Sequence, residues 1–315
     1  MNDQAIANSV VEFVSSQPYP ENWPEYRQVL LGHLRSEPAW NLALPVLFCR
    51  AVGGETDDAL PVAAAWSTLH YSALIFDSLQ DGHELAAELG SAANAINIAT
   101  ALMFSAYRFV DAIPNSEAAQ RAALIFSLAG FQSALGQHCD VSRSGRGVAG
   151  RDALEYYWQT VILKSGSIFE AAAGAGAAAG TATWDEIDAA RVFGSSLGVI
   201  LQVIDDCRDI FTSTQERHHA GNEFTLPLLL YLTAREKQGQ TPAAEQVPDD
   251  RRLLFEQLQE ENIPQVIVGV LQEWRRRALD GLAILTNSEA KARLEDILDV
   301  VWESNYKLVE AKEAE

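Results

Sequence analysis

The sequence predicts a single all-α domain. Three observations carry this prediction: the 315 residues are 48% hydrophobic, Ala, Leu and Glu dominate, and Gly and Pro fall mostly at segment ends. Few stretches show the alternation of apolar and polar positions, rich in β-branched residues, that strands require. The chain has no internal repeat and no linker, so we expect one domain over residues 1–315.

Proline, glycine and capping residues divide the chain into successive helices. In the longest segment of the first half, Asp57 or Asp58 can cap the helix, Pro61 sits in its first turn, and nothing breaks it before Gly82. The helices predicted in this way cover residues 3–14, 25–35, 38–52, 57–81, 92–110, 117–138 and 151–164.

The second half of the chain continues the helical pattern. A run of alanines and glycines at 171–180 predicts a close helix crossing and a turn, because its residues are too small to hold neighbours apart. A long central helix then starts at Thr183 or Asp185. Beyond Pro227 we expect three further helices, separated by the polar segment 238–250 and by Pro264.

Charge and cysteine content exclude several functions. The formal net charge of −20 argues against nucleic acid as a partner, since phosphate contacts require clusters of Lys and Arg. Cys49, Cys139 and Cys207 show no metal or disulfide spacing, which indicates a reducing compartment. No charged-then-apolar leader opens the chain, and no uninterrupted apolar run reaches membrane-spanning length. We therefore expect a cytoplasmic protein without a transmembrane segment.

One stripe of the central helix carries three carboxylates. At 3.6 residues per turn the stripe comprises Gly194, Gly198, Gln202, Asp205, Asp206 and Asp209. The rest of this helix is apolar, and buried like charges repel one another unless a cation neutralises them. Ligands that are all oxygen atoms favour Mg²⁺, which shares its remaining positions with water and phosphate. The alternative is a solvated acidic turn at a helix end.

A second pair of carboxylates ends the helix predicted over residues 57–81. Asp77 and Asp81 lie four residues apart and share a helix face with Ala73, His70 and Trp66. Such a pair, taken alone, is typical of a polar helix end. Opposite a second buried carboxylate cluster, it becomes half of a site for a metal ion and a diphosphate.

These motifs resemble those of the trans-isoprenyl diphosphate synthases, the polyprenyl synthetase family. The two acidic stretches resemble the first and second aspartate-rich motifs of that family, at the expected separation. Three further elements match along most of the chain: Gly136, Gln137 and Asp140 as GQxxD, Lys164 with Ser165 as the Lys-Thr pair, and Thr225, Leu226 and Pro227 as the TLP segment.

The resemblance implies a fold, a cofactor and partners. The fold is the isoprenoid synthase (terpenoid synthase) helical bundle around a central prenyl-binding cavity. The substrate is an allylic prenyl diphosphate, and the cofactor is Mg²⁺, about three ions when diphosphate is bound. The assembly is a homodimer or a heteromer with a homologous synthase.

The resemblance also assigns roles to individual residues. The metal ligands are Asp77, Asp81, Asp205 and Asp209. The catalytic residues are Asp77, Asp81, Lys164, Asp205, Asp206 and Asp209. The substrate-binding residues are Trp66, Leu69, His70, Ser72, Ala73, Ser78, Gln137, Gly198 and Gln202.

The sequence departs from the family in the residues that bind isopentenyl diphosphate. Family members that elongate use a Gly-Lys-Arg segment near the N-terminus and an arginine pair after the first motif. Here the corresponding residues are Gly32, His33, Leu34 and Arg35, and then Gly82, His83, Glu84 and Leu85. A neutral histidine such as His83 is a poor replacement for an arginine. At most one arginine, Arg35, survives in these two segments, and we expect the second diphosphate pocket to be missing its positive charge.

Two further departures concern the first diphosphate. Ser78 replaces the second aspartate of the first motif, and a serine supplies no charge to Mg²⁺. The lysine usual before the TLP segment is absent, because residues 221–224 are Gly, Asn, Glu and Phe. Lys164 is the only lysine among the first 236 residues.

These departures leave three functions open. Ionisation of an allylic diphosphate remains possible with the surviving carboxylates and Lys164. The resulting carbocation would cyclise, as in isoprenyl-synthase-like terpene synthases, react with water, or alkylate another acceptor. The alternatives are a non-catalytic partner subunit of a heteromeric synthase and an elongating synthase with a rewired isopentenyl diphosphate pocket.

The helix that leads to Asp77 sets the expected substrate length. Ala73, Ser72 and Leu69 leave the cavity open, and Trp66 is the first large side chain that can form its floor. Eleven residues at about 1.5 Å per residue place Trp66 roughly 16 Å from Asp77, which suits a farnesyl or geranylgeranyl (C15 to C20) tail. The alternative for Trp66 is ordinary core packing, and for His70 a structural rather than catalytic role.

Overall fold

The protein is a bundle of α-helices. The computed structural model describes residues 2–19, 21–81, 88–142, 149–211, 224–239, 247–248, 250–286 and 288–310, and these contain no β-strand. The helices are α1 (Asp3–Ser15), α2 (Pro24–Ser36), α3 (Ala39–Ala51), α4 (Thr56–Asp81), α5 (Ala92–Val110), α6 (Ser116–Val141), α7 (Gly150–Val161), α8 (Ser167–Ala179), α9 (Trp184–Phe211), α10 (Leu226–Lys237), α11 (Arg251–Glu260), α12 (Ile263–Leu282) and α13 (Ser288–Glu310). The predicted all-α class is confirmed.

Most predicted helix boundaries agree with the structure within a few residues, and two predictions need correction. The helix predicted over residues 151–164 ends as α7 at Val161 and continues through a π-helical turn, Ile162–Gly166, directly into α8. The three helices expected beyond Pro227 are four, because α12 ends at Leu282 and α13 begins at Ser288. The sequence between these helices has no Gly or Pro that would have marked the break.

Helix α8 lies at the centre of the bundle. It contacts α3, α4, α6 and α9, and all of its residues except Glu170 are buried. Its alanines and glycines leave almost no side-chain volume, so neighbouring helices approach its backbone closely. The run of small residues therefore forms the close crossing that the sequence predicts.

Glycines set the closest of these approaches. A Cβ atom at Gly176 would overlap the backbone of Pro45 in α3, and one at Gly194 of α9 would overlap the Phe169 carbonyl of α8. An ion pair also joins α9 to α8, where Arg191 Nη2 lies 2.6 Å from Glu170 Oε1. These contacts fix α9, which carries the second acidic motif, against the central helix.

Within the described residues, two helices are long and apolar enough to cross a membrane by length and composition alone. They are α4 over Thr56–Gln80 and α9 over Trp184–Ile210. The search for uninterrupted apolar runs did not predict them. Most of each apolar window, 72% and 61%, is buried inside the protein, as in core helices.

Replacement of glycine by alanine should change stability in opposite directions at the α3–α8 crossing and at an open position on α12. Gly176→Ala should destabilise the protein by about 2–4 kcal/mol, because the added methyl group overlaps α3. Gly269→Ala in α12, where a Cβ meets no atom within 4 Å, should stabilise it by up to about 1 kcal/mol through helix propensity. Urea unfolding of both variants measures the two changes. A Gly176→Ala variant as stable as the parent would contradict the crossing.

Candidate active site

The π-helical turn Ile162–Gly166 forms the middle of the candidate site. On one side, a Cβ at Gly136 of α6 would overlap the backbone of Lys164. On the other side, a Cβ at Gly198 of α9 would lie 2.5 Å from the Ser165 carbonyl oxygen. Glycine at both positions therefore lets the turn insert between α6 and α9. Turns of this kind often mark functional sites because they re-aim side chains within a helix.

Lys164 points from this turn to the first acidic motif. Its Nζ lies 2.7 Å from Asp77 Oδ1 and 2.9 Å from Asp140 Oδ2, so it joins α4, α6 and the turn. Burial alone would lower the pKa of Lys164, but Asp77 and Asp140 outweigh burial and raise the pKa above its ordinary value. The ammonium group is therefore charged at neutral pH, and it partly neutralises the two carboxylates.

Ser165, the next residue, points to the second acidic motif. Its Oγ donates a hydrogen bond of 2.6 Å to Gln202 Oε1, and Gln202 Nε2 donates one of 3.1 Å to Asp206 Oδ1. Two consecutive residues of the turn thus contact the two aspartate-rich motifs. This arrangement brings α4 and α9 into one site although they are separated along the chain.

Asp206 has the contacts of a positioning residue. Its carboxylate is buried and accepts hydrogen bonds from Tyr157 Oη (2.6 Å), the Leu226 backbone N–H (2.9 Å) and Gln202. Burial raises the pKa of Asp206 to about 6, while these hydrogen bonds act in the opposite direction. Asp206 therefore fastens α9 to the first residue of α10, where a helix N-terminus favours a negative group. The sequence predicts a catalytic role for Asp206, and its contacts favour positioning.

Asp205 and Asp209 lie on the exposed side of the same helix end. Asp205 Oδ1 pairs with Arg208 Nη1 at 2.8 Å, and the two side chains are 58% and 49% exposed. Each acidic motif therefore holds a cation of its own, Lys164 at Asp77 and Arg208 at Asp205. Asp205 and Asp209 are accessible to solvent, whereas Asp206 is buried.

The donor set fits Mg²⁺ that is shared with a diphosphate. The side chain of Asp81 lies outside the described part of the chain, and among the described side chains no three His, Cys, Asp or Glu converge on one point. The predicted ligands on the described helices are carboxylate oxygens divided between α4 and α9. Mg²⁺ typically takes one or two carboxylates and completes its shell with water and phosphate oxygens, so a divided set suits it.

The residues of α4 that are predicted to bind substrate differ in their exposure. Ala73 is partly exposed, whereas Leu69 and Ser78 are buried. Ser72 is a correction: its Oγ donates a 2.7 Å hydrogen bond to the Ala99 carbonyl of α5. One residue along a helix turns the side chain by about 100°, so Ser72 faces α5 while the neighbouring Ala73 points in another direction.

Trp66 packs in the core between α4 and α8. Its Nε1 donates to the Ile168 carbonyl at 2.9 Å, and its ring stacks on His70 with centroids 5.3 Å apart. The edge of Phe169 closes the cluster at 5.5 Å from Trp66. Burial lowers the pKa of His70 to about 4, so the imidazole is neutral. Its buried Nδ1 has no hydrogen-bond partner within the described residues.

In residues 32–35, the segment that resembles the basic segment of elongating family members, Arg35 is exposed and the other titratable residue is His33. His33 is 8% exposed and stacks on Tyr71 with centroids 3.8 Å apart. Burial, and then the nearby His70, lowers the pKa of His33 to about 3, so this ring carries no charge at neutral pH. Glu37 Oε1 lies 3.4 Å from His33 Nε2, whereas Arg35 is exposed. The reduced positive charge of this segment stays a prediction, with His33 neutral and Arg35 exposed.

The remaining predicted residues frame the site. Gln137 Nε2 donates to Gln80 Oε1 at 2.9 Å and so joins α6 to α4, while Thr225 is the N-cap residue of α10. The predictions for residues 82–85, including His83, and for residues 221–223 lie outside the described residues.

Two residues of this network were not predicted as site residues. Asp140 belongs to the GQxxD match, and that match was the available signal for its contact with Lys164. Tyr157 had no signal beyond its place on an amphipathic helix. A cavity of about 530 Å³ between α7 and α10 is lined by neither these two nor any predicted site residue.

Solved structures with the same fold come from several organisms. A geranylgeranyl pyrophosphate synthetase of Geoglobus acetivorans superimposes with a TM-score of 0.79 at 19% identity and covers 96% of each chain. A polyprenyl synthase of Caulobacter crescentus, crystallised with calcium and isoprenyl diphosphate, gives 0.76 at 21% identity and covers 95% of this chain and 94% of that one. At such identities the likeness shows the fold alone.

Curated relatives share between a quarter and a third of their residues with this chain. The chloroplastic large subunit 1 of a heterodimeric geranylgeranyl pyrophosphate synthase from Arabidopsis thaliana is 28% identical over 223 residues, 64% of this chain and 58% of that protein. A short chain isoprenyl diphosphate synthase from Methanothermobacter thermautotrophicus is 26% identical over 281 residues, 84% of this chain and 85% of that protein. The chain spans 58% and 52% of the length of two Arabidopsis relatives.

A match to a family model assigns the chain to a family, which the pairwise similarities do not do by themselves. The model described as Polyprenyl synthetase matches residues 42–252, which is about two thirds of the chain and includes both acidic motifs and the π-helical turn between them. The match, together with the helical bundle around α8, shows that this chain belongs to the polyprenyl synthetase family.

Proposed function

We propose that the protein is an Mg²⁺-dependent isoprenoid synthase that ionises an allylic prenyl diphosphate of farnesyl to geranylgeranyl length (C15 to C20). The reaction ends in cyclisation or transfer to a non-standard acceptor rather than in elongation with isopentenyl diphosphate. The observation that carries this proposal is the contact of Lys164 and Ser165 with the two acidic motifs. These contacts connect the Lys164 ammonium and the two carboxylate-bearing helices, α4 and α9, and such groups can stabilise a departing diphosphate.

Ionisation requires stabilisation of negative charge on the departing diphosphate. Asp77, Asp81, Asp205 and Asp209 would hold Mg²⁺, which supplies Lewis-acid stabilisation of that charge. Lys164 would donate hydrogen bonds to the diphosphate, as a charged donor in a partly buried site. Asp140 is a positioning residue in this scheme, because it retains Lys164 in place when Asp77 binds the metal.

The argument against elongation rests on charge at the second diphosphate position. Capture of isopentenyl diphosphate needs cations, because burial of an unpaired diphosphate costs several kcal/mol. The residues near Gly32 offer a neutral His33 stacked on Tyr71, with the Glu37 carboxylate beside it, and one exposed arginine, Arg35, where elongating members carry several cations. The allylic carbocation that ionisation leaves on the prenyl chain would therefore cyclise, react with water, or alkylate another acceptor.

The relatives support two alternatives. Elongation with a rewired pocket is favoured by the curated names, which describe geranylgeranyl and short-chain synthases at 26–28% identity. A non-catalytic partner subunit is favoured by the relative that is named as the large subunit of a heterodimer. The ion pairs at both acidic motifs argue against a partner subunit that has lost its chemistry.

We also propose that two copies of the chain associate through α5 and α6. Four apolar side chains follow one stripe of α6 and two more lie on α5, all between 40% and 70% exposed: Leu124, Leu128, Phe131, Leu135, Ile96 and Phe104. No Asp, Glu, Lys or Arg occurs at 92–107 or 122–139, although the chain carries a charge of −20. Like-charged copies repel except where the surface is uncharged, so this face suits a second copy.

Metal and diphosphate should stabilise the folded protein together. Mg²⁺ with inorganic diphosphate, at about a hundredfold excess over the dissociation constant, should raise the melting temperature by roughly 3–8 °C. Asp77→Asn should abolish most of this shift, because it removes a ligand. Asp299→Asn is the matched control, since it removes a carboxylate from an ion pair with Arg275 on α12. Equal shifts in both variants, or none in the parent, would contradict the site.

Product analysis separates the three functions. The protein should convert farnesyl or geranylgeranyl diphosphate with Mg²⁺ into hydrocarbons or alcohols, with or without isopentenyl diphosphate, and should convert geranyl diphosphate less well. Extracts are analysed by gas chromatography with mass spectrometry. Longer diphosphates formed efficiently only with isopentenyl diphosphate would instead establish elongation. No product in any reaction, with activity restored by a homologous synthase, would establish the partner subunit.

A charge placed on the exposed stripe of α6 should separate the copies. Light scattering after size exclusion should give a dimer for the parent and a monomer for Phe131→Asp, because burial of one charge per subunit should weaken association by at least about a hundredfold. Val266→Asp in α12, where the valine is 44% exposed, is the control and should remain dimeric. A monomeric parent would contradict the homodimer, and a dimer that forms only with a homologous synthase would favour the heteromer.

A further inference from the structure

We propose that the cavity between α7 and α10 is a second ligand site, which binds an amphipathic organic anion with one acidic head group and an apolar chain. The cavity has a volume of about 530 Å³, which lies within the range of small-molecule sites. No residue of either acidic motif lines it. The inference therefore does not depend on the proposed function.

The cavity lies on the outer face of α7, away from the candidate active site. Tyr157 is buried and donates its hydroxyl proton to Asp206 of α9 at 2.6 Å. Arg151, Glu155 and Ile162 are exposed and line the cavity. A ligand bound there leaves the carboxylates of the acidic motifs free.

One wall of the cavity is apolar. Leu154, Trp158 and Ile162 follow one another at intervals of four residues, so they form one stripe along the chain. Thr233 is the buried member of the lining, and it offers no free polar group. Its Oγ1 accepts the Gly150 N–H at 2.9 Å and donates to a backbone carbonyl. This wall suits an apolar chain better than a polar ligand.

Two cations lie where α7 begins beside α10. Arg151 is in the first turn of α7, and Lys237 follows Thr233, the partner of Gly150, by one turn. Neither cation has an ion pair or a side-chain hydrogen bond with any described residue, and both line the cavity. Most other arginines in the described part of the chain pair with a carboxylate. Both cations are therefore available to a ligand.

Charge complementarity selects an anion. The lining carries two cations and one carboxylate, Glu155, so its net charge is positive in a chain whose net charge is −20. Glu236, whose carboxylate lies beside Gly150, does not line the cavity. Guanidinium and ammonium groups donate charge-assisted hydrogen bonds to carboxylates and phosphates alike. A fatty-acid carboxylate and a phosphate monoester share this chemistry, and the experiment distinguishes them.

The competing interpretation is a groove that holds only water. Lys237 would then serve the last turn of α10, where a cation interacts favourably with the helix dipole. Arg151 has no such role, because the dipole disfavours a cation in the first turn of a helix. A solvated groove also gives no preference for a ligand that combines an acid with an apolar chain.

Calorimetric titration with decanoate and with decyl phosphate, each below its micelle concentration, tests the site. At least one should bind with one site per chain, and the tighter of the two identifies the head group. Decan-1-ol, acetate and inorganic phosphate, which each lack one part, should bind at least about tenfold more weakly.

Substitutions test the charges of the lining. Arg151→Gln and Lys237→Gln should each weaken binding of the anion by about three- to tenfold, because each removes a charged donor. Glu155→Gln should strengthen it by about two- to threefold, because it removes a like charge. Lys291→Gln on α13 is the matched control, since this lysine lies outside the lining, and it should leave the affinity unchanged.

The outcomes separate this site from the acidic motifs. Melting temperatures of the ligand-free variants show whether each is folded. The inference is wrong if neither anion binds, if decan-1-ol binds as tightly, or if both cation variants bind like the parent. Inorganic diphosphate with Mg²⁺ should not displace the bound anion, and displacement would contradict a second site. These titrations need no metal, so their failure leaves the proposed function standing.

Discussion

The candidate site depends on the insertion of one π-helical turn between two glycines. Gly136 and Gly198 bring the backbones of α6 and α9 against Lys164 and Ser165, closer than any side chain would permit. A displacement of this turn would withdraw Lys164 from Asp77 and Ser165 from Gln202 in the same movement. The two acidic motifs are therefore coupled through backbone packing, and not only through a ligand that they share.

This packing explains how an acidic site is stable without a metal ion. Lys164 compensates Asp77 and Asp140, while Arg208 compensates Asp205. Asp206 avoids repulsion differently, since it is buried and saturated with hydrogen-bond donors. The accessible aspartates thus have partners that a metal can replace, whereas the buried one has partners that hold the helices together.

Sequence reasoning recovered what is local and missed what depends on rotation about a helix. Helix boundaries follow caps and breakers, so α5 matches its predicted range of 92–110 without error. The resemblance to the family motifs pointed to Asp77, Lys164 and Gln202, and the π-helical turn brings Lys164 to Asp77 and Ser165 to Gln202. Ser72 bonds to Ala99 of α5, and the Tyr157 hydroxyl bonds to Asp206, so both contacts join segments that are distant along the chain. Each depends on the direction in which a helical side chain points, which changes by about 100° from one residue to the next. No pattern in one sequence fixes that angle.

The distribution of charge separates the possible functions better than the motifs do. A subunit that had lost its chemistry would have no reason to keep a buried, doubly paired lysine beside one acidic motif, because such a group is costly to desolvate. Around His33, the stacked Tyr71 and the nearby Glu37 form a packed cluster, while Arg35 of the same segment is exposed. Departures from the family pattern touch both diphosphate positions, since Ser78 and residues 221–224 also differ, but Lys164 is kept beside Asp77. The retained lysine favours the proposed ionisation over a general loss of activity.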